Sequence, residues 1–127
     1  MQVQTLLLVG AGGAFGAMGR FLLGRYVLQA LGPGFPWGTL AANVIGAFVM
    51  GLLVELFATK LSLSTGLQAG LTVGLLGGFT TFSAFSLETA LMIERHDWTM
   101  ALTYVTASVG LCVLALFAAL YLVRSWV

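Results

Sequence analysis

From Met100 to Val123 the chain reads MALTYVTASVGLCVLALFAALYLV, without one charged residue. A run of about 20 apolar residues is what a helix needs to cross the hydrocarbon of a bilayer. Three further stretches meet the same test, from about Thr5 to Leu31, Trp37 to Phe57 and Gly66 to Ile93. Across the 127 residues, 60% are apolar and 7% charged, against roughly 25% charged in an average soluble domain. The expected architecture is one all-α membrane domain, residues 1–127, with four transmembrane helices.

The breaks between runs carry their own signals. Gly32-Pro33-Gly34-Phe35-Pro36 cannot continue a helix. Lys60 to Ser64 is short and polar, and Glu94-Arg95-His96-Asp97 reads as a tight charged turn. Trp37, Trp98 and Trp126 fall at segment ends, where amphipathic rings sit in the headgroup layer. No Lys or Arg precedes the first run, which outlasts a signal-peptide core, so no cleaved leader is expected.

Four crossings put both termini and the Lys60 loop on one side, with Lys60 and Arg124. The opposite side collects Arg95 and Arg25, plus Arg20 if it reaches the interface. So small a bias does not fix an orientation under the positive-inside rule. The expectation is dual topology, which permits an antiparallel homodimer resembling the inverted repeats of transporters. Small residues supply surfaces for close packing: Gly66, Gly70, Gly74 and Gly78 recur every four residues, Gly12 and Gly16 form a GxxxG, and Ala47 pairs with Gly51.

Several chemistries are excluded or weak. GAGGAFG, Gly10 to Gly16, has the glycines of a dinucleotide loop but lies inside an apolar span, where helix packing explains it better. His96 is the sole histidine, and no nucleophile–base set shares a plausible face, so the chain is not expected to be an enzyme. Cys112 is the sole cysteine and cannot build a disulfide or, alone, a metal site. A net charge of +1 gives no reason to expect a nucleic-acid partner.

Polar groups within the spans point to a path, because hydrogen-bonding residues at membrane depth mark transport routes by default. Thr39 and Asn43, four apart, share one face of the second span; Tyr104, Ser108 and Cys112 form a similar row on the fourth. The third span carries Thr80, Thr81, Ser83, Ser86 and Glu88. Its Gly77-Gly78 and Thr80-Thr81 make a weak helix, and a break is expected there. Carbonyls freed at membrane depth need partners, and a hard cation accepts oxygen ligands. Phe79, Phe82 and Phe85 step round the helix by threes, so two can share a path while the third packs. A phenyl ring has a positive edge, which lines an anion path without gripping it. The physics leaves the solute open: a small hydrated anion, a polar substrate and a proton relay through Glu88 all fit these groups.

WGTLAANVIGAF, Trp37 to Phe48, and GLLGGFTTFSAFSLE, Gly74 to Glu88, resemble the signatures of the Fluc-type (CrcB) fluoride channels, a likeness covering essentially the whole chain. Arg20, after a glycine-rich first segment, also fits. The resemblance implies an antiparallel homodimer in the bacterial cytoplasmic (inner) membrane with two fluoride pores, exporting fluoride passively. It implies a structural Na⁺ at the dimer interface, held by the backbone carbonyls of Gly77 and Thr80 from both chains. By position, Phe82 and Phe85 are similar to the pore phenylalanines and Asn43 to the pore amide. Thr39, Ser83, Glu88, Tyr104 and Ser108 are similar to the polar track. Cys112 stands where the family often has a hydroxyl, a departure at the far end of that track. A small dual-topology multidrug or cation transporter is the main alternative, although such proteins carry a carboxylate midway along the first span and this chain has none there. A non-transporting assembly subunit, with the polar rows as helix glue, is the other.

Overall fold

Residues 2–126 are described by a computed structural model, and they are helical with no strand. The elements are α1 (Val3–Leu31), α2 (Trp37–Thr59), a third span broken into α3 and α4, and α5 (Trp98–Trp126). α3 begins as an α-helical turn, Thr65–Ala69, widens into a π-helical stretch, Gly70–Leu76, and closes with Gly77–Phe79. α4 is Phe82–Glu94. Four helical segments are long and apolar enough to cross a bilayer, with Thr65–Glu94 counted as one span. This is a multi-pass membrane protein.

Six of the eight span ends lie one to three residues beyond expectation, and at two of the starts a side-chain cap is seen. The Ser64 hydroxyl accepts from Leu67 N–H at 3.2 Å and starts α3. Asp97 Oδ1 faces Met100 N–H at 3.4 Å at the start of α5. The charged turn before it is tight: His96 has φ 60° and donates its N–H to Ile93 O at 2.9 Å, while Asp97 donates to Met92 O at 2.9 Å. Gly32, at φ 80°, ends α1 with its N–H on Leu28 O.

Two helix pairs make the body. α2 packs along α5, and α1 packs along α3. The second contact is backbone against backbone. A methyl group added at Gly12 would run into the Gly70 carbonyl, and one at Gly16 into that of Leu75. From the facing helix, a methyl at Gly74 would lie 2.6 Å from Val9 O and one at Gly78 2.6 Å from Gly13 O. The glycine stripes are therefore packing surfaces within one chain. Four residues overshoot one α-turn by about 40°, so a four-residue stripe would wind off the contact along a regular α-helix. The wider i→i+5 turns of the π-helical stretch take up that excess and keep the glycines against α1.

A further crossing, at Gly51, closes α2 on α5: a methyl there would meet Leu116 O at 2.6 Å and Ala119 Cβ at 2.9 Å. Near this end Arg124 Nε pairs with Glu55 Oε1 at 3.0 Å, neutralising one of the charges on the terminal side. Trp37, Trp98 and Trp126 are exposed at helix ends, where interface anchors belong.

Gly16→Val should wedge α1 off α3, because overpacking against rigid backbone costs about 1–3 kcal/mol. Gly10→Val, where nothing lies within 4 Å, should stay within about 0.5 kcal/mol of the parent. Unfolding midpoints in mild detergent check both; equal stability of the two variants would contradict the interlock.

Candidate functional site

The third span breaks at its threonines. Gly77 keeps helical angles, φ −61° and ψ −37°, whereas Thr80 and Thr81 are extended at φ −89°, ψ 158° and φ −152°, ψ 120°. Glycine next to the break was expected to turn the backbone; instead the glycines stay helical for close contact with α1, and side chains from elsewhere release the helix. Asn43 on α2 holds both ends of the Thr81 residue: Thr81 N–H donates to Asn43 Oδ1 at 2.7 Å, and Asn43 Nδ2 donates to Thr81 O at 3.0 Å. The Thr81 hydroxyl then caps α4, accepting from Ala84 N–H at 3.1 Å. Thr80 folds its own hydroxyl back onto Leu76 O at 2.8 Å.

This diverts two N–H groups. In an unbroken helix Thr81 N–H would reach Gly77 O, and Ala84 N–H would reach Thr80 O; here they go to Asn43 and to the Thr81 hydroxyl. The carbonyls of Gly77 and Thr80 are left as hard oxygen donors, at and beyond the negative end of α3. Arg20 Nε approaches the intervening Gly78 O at 3.4 Å. Among the described residues no group of three or more His, Cys, Asp or Glu is placed to hold a metal, so backbone oxygens are the donors this break offers.

On α4, about two turns past the cap, Glu88 ties three helices together. Thr39 on α2 donates to its Oε2 at 2.9 Å, and Tyr104 on α5 donates to its Oε1 at 2.8 Å. Tyr104 is fully buried, and its ring joins an aromatic chain. Phe82 and Phe85 have centroids 5.4 Å apart, Phe85 and Tyr104 5.1 Å, and Tyr104 and Phe35 5.3 Å in an edge-on arrangement. Phe35 stacks in turn near Trp37 at 4.7 Å. Phe35 was not anticipated; it sits in the Pro-Gly turn, whose only sequence signal was that it breaks a helix.

Two cavities flank this chain of rings. One of 340 Å3 opens at the α1–α2 turn and is lined by Phe35, Thr39, Glu88 and Arg95 among others. The other, of 440 Å3, is lined by Asn43, Thr80, Phe82, Phe85, Ser108 and Cys112 among others. Phe85, 9% exposed, lines the second cavity while touching Tyr104, which hydrogen-bonds Glu88 in the wall of the first.

Most of the anticipated residues thus converge. Thr39 and Glu88 line the first cavity, Asn43, Thr80, Phe82, Phe85 and Ser108 the second, and Tyr104 lies between them, bonded to Glu88 and packed on Phe85. Ser83 does not join them. It is exposed and bonds only its neighbour Thr81, Oγ to Oγ1 at 3.1 Å. Phe79 packs between α1 and α2, against Gly19 and Gly46, as expected of the ring left over. Phe82, by contrast, is 78% exposed.

A membrane helix bundle with a broken span, hydrogen-bonded polar groups across three helices and cavities on either side of an aromatic constriction defines a small membrane-transport protein. The chain belongs to the CrcB family: the family model described as "CrcB-like protein, Camphor Resistance (CrcB)" matches residues 7–120. It is 49% identical over 125 residues to the fluoride-specific ion channel FluC of Rhizobium meliloti (strain 1021), covering 98% of this chain and 100% of that one. The protein of the same name from Phenylobacterium zucineum (strain HLK1) is 55% identical over 123 residues, 96% and 97% of the two chains. That from Caulobacter vibrioides (strain NA1000 / CB15N) is 50% identical over 123 residues, again 96% and 97%.

Asn43→Ala should strip the partner from the N–H of Thr81, costing about 1–3 kcal/mol for a buried group left unpaired. Ser83→Ala, at an exposed hydroxyl, should change stability by less than about 0.5 kcal/mol. Unfolding in detergent distinguishes them, and a neutral Asn43→Ala would show that the break holds itself.

Proposed function

We propose that this chain is a fluoride channel that lets the anion leave the cell passively, down its electrochemical gradient, as an antiparallel homodimer in the bacterial cytoplasmic membrane. The observation that carries the reading is the placement of Phe85 and Tyr104 between two cavities, each with a few polar groups in a mainly apolar wall, in a chain about half identical to proteins named fluoride-specific channels.

The donors suit a small anion. Asn43 spends one amide hydrogen on Thr81 O and keeps the other. Ser108 Oγ is buried in the wall of the second cavity with no hydrogen-bond partner among the described residues. Phe82 and Phe85 add positive ring edges. Such groups replace water around the anion and hold it by no fixed charge, so it is released as readily as it enters. Glu88 fixes the hydroxyls of Thr39 and Tyr104 in one orientation beside this route. Nothing in the arrangement favours a multidrug carrier: the first span carries no carboxylate.

A second copy of the chain completes the site in this reading. Gly77, Phe82, Ser83 and Ser86 are all exposed around the break, and non-helical backbone at membrane depth is covered by protein or a water-filled cavity. The even charge distribution between the two sides supports insertion both ways up. The carbonyls of Gly77 and Thr80, freed of their helical donors, would hold a structural Na⁺ between the copies. That ion would supply the positive charge that balances the exposed carbonyl ends.

Liposomes containing the purified protein test this directly. Fast fluoride efflux with little chloride efflux is expected. Phe85→Ile, which raises the barrier by removing a ring edge, should slow it by about tenfold for every 1.4 kcal/mol lost. Replacing Na⁺ by a large organic cation should impair conduction, and C-terminal reporters should respond on both faces of the membrane. Proton-coupled uptake of organic cations, or no fluoride flux, would overturn the proposal; indifference to Na⁺ would remove the cation site, and a reporter confined to one face would remove dual topology.

A further inference from the structure

The ring of Tyr104 is held from the sides of both cavities. Phe85, in the wall of the second, has its centroid 5.1 Å away, and Phe35, in the wall of the first, meets Tyr104 edge-on at 5.3 Å and 86°. Phe85 stands on α4, whereas Phe35 stands on no helix. Its direction is fixed by local bonds instead. Pro36, at φ −78° and ψ 64°, makes an inverse γ-turn in which Trp37 N–H donates to Phe35 O at 2.8 Å. Leu40 N–H donates to Pro36 O at 3.2 Å and joins this turn to the start of α2, while the Trp37 ring lies 4.7 Å from that of Phe35. Four residues past Phe35, Thr39 donates to Glu88, the carboxylate that also accepts from Tyr104. The contacts therefore close on themselves, from Phe35 along the backbone to Thr39, then through Glu88 and Tyr104 back to Phe35.

We propose that Phe35 is a positioning residue of the anion route: it holds the Tyr104 ring in the constriction and so keeps chloride, the larger ion, from following fluoride. The selectivity rests on the channel reading; the hold on Tyr104 does not. The Tyr104 hydroxyl is fixed on Glu88 Oε1 at 2.8 Å, but one bond at the tip of a ring leaves the ring free to tilt about it. Phe85 opposes that motion from the second cavity and Phe35 from the first. Interiors are packed closely enough that a deleted ring leaves a void into which its neighbours relax part-way. Without Phe35 the space is gained beside the 340 Å3 cavity, so Tyr104 withdraws from Phe85 and the constriction widens. A wider passage lowers the barrier most for the larger ion, because pore diameter is one of the terms that set selectivity.

Reversal potentials of the intact protein in planar bilayers give the ratio of fluoride to chloride permeability, which depends on the shape of the route and not on how much protein has folded. Phe35→Ala should lower that ratio at least about tenfold, equivalent to 1.4 kcal/mol less difference between the two barriers. Phe35→Leu, which fills part of the space, should fall between Phe35→Ala and the parent. Phe35→Tyr, which keeps the ring, should restore the parental ratio. Tyr104 is the one buried tyrosine of three, Tyr26 and Tyr121 being exposed, so protein labelled with meta-fluorotyrosine reports on it separately by fluorine NMR in fluoride-free detergent. Its resonance should shift in Phe35→Ala while the other two stay in place. An unmoved Tyr104 resonance in both Phe35→Ala and Phe35→Leu would overturn the hold. A moved resonance with an unchanged permeability ratio would overturn the selectivity. If the parent moves no fluoride, the channel reading and the selectivity fail together, and the resonance still decides the hold.

Discussion

One side-chain amide sets the shape of the membrane interior. Asn43 takes the N–H of Thr81, a bond that in an unbroken span would run to Gly77, and adds a donor to the Thr81 carbonyl, which as N-cap also opens the next helix. In hydrocarbon a backbone group without a partner costs several kcal/mol, so a helix breaks only where something else accepts its bonds. Asn43 does so from a neighbouring helix, and the Thr81 hydroxyl restarts the chain as a new N-cap. The displacement leaves Gly77 and Thr80 carbonyls uncommitted and re-aims α4, which brings Phe85 against Tyr104 and Glu88 between Thr39 and Tyr104.

The rest of the fold holds that break in place. Glycines on α1 and α3 interlock backbone to backbone, leaving almost no side-chain volume through which α3 could shift. Gly51 does the same for α2 and α5. With those pairs fixed, Glu88 is the tie between them: its carboxylate joins α4 to both α2 and α5 through two hydroxyls. The rigid pairs and the polar tie together keep two cavities on either side of one aromatic constriction.

The spans were legible because length and apolar content alone decide them, whereas the caps at Ser64 and Asp97, which set two of the starts, do not register in hydropathy. The break was legible as a weak stretch of helix at Gly77-Gly78 and Thr80-Thr81, but which of the two pairs opens was not. Gly77-Gly78 is locally the weaker pair, and the deciding partner, Asn43, lies 38 residues away in sequence. The polar rows were legible from their four-residue spacing, although spacing does not say that Thr39 and Tyr104 would meet on Glu88. Ser83 is exposed on α4, and spacing alone does not say what meets it there. The π-helical stretch left a trace in the four-residue glycine repeat, which fits a turn wider than the α-helix. Phe35 left none, because a turn residue carries no periodicity to show which side it faces.

The central claim is that the route past Phe85 and Tyr104 passes fluoride and little else. The reversal potential in a planar bilayer holding the protein tests it most directly, with fluoride and chloride set at opposing gradients. The account requires the current to reverse near the fluoride equilibrium potential. Reversal near the chloride potential, or at the potential of the cation present, would contradict it.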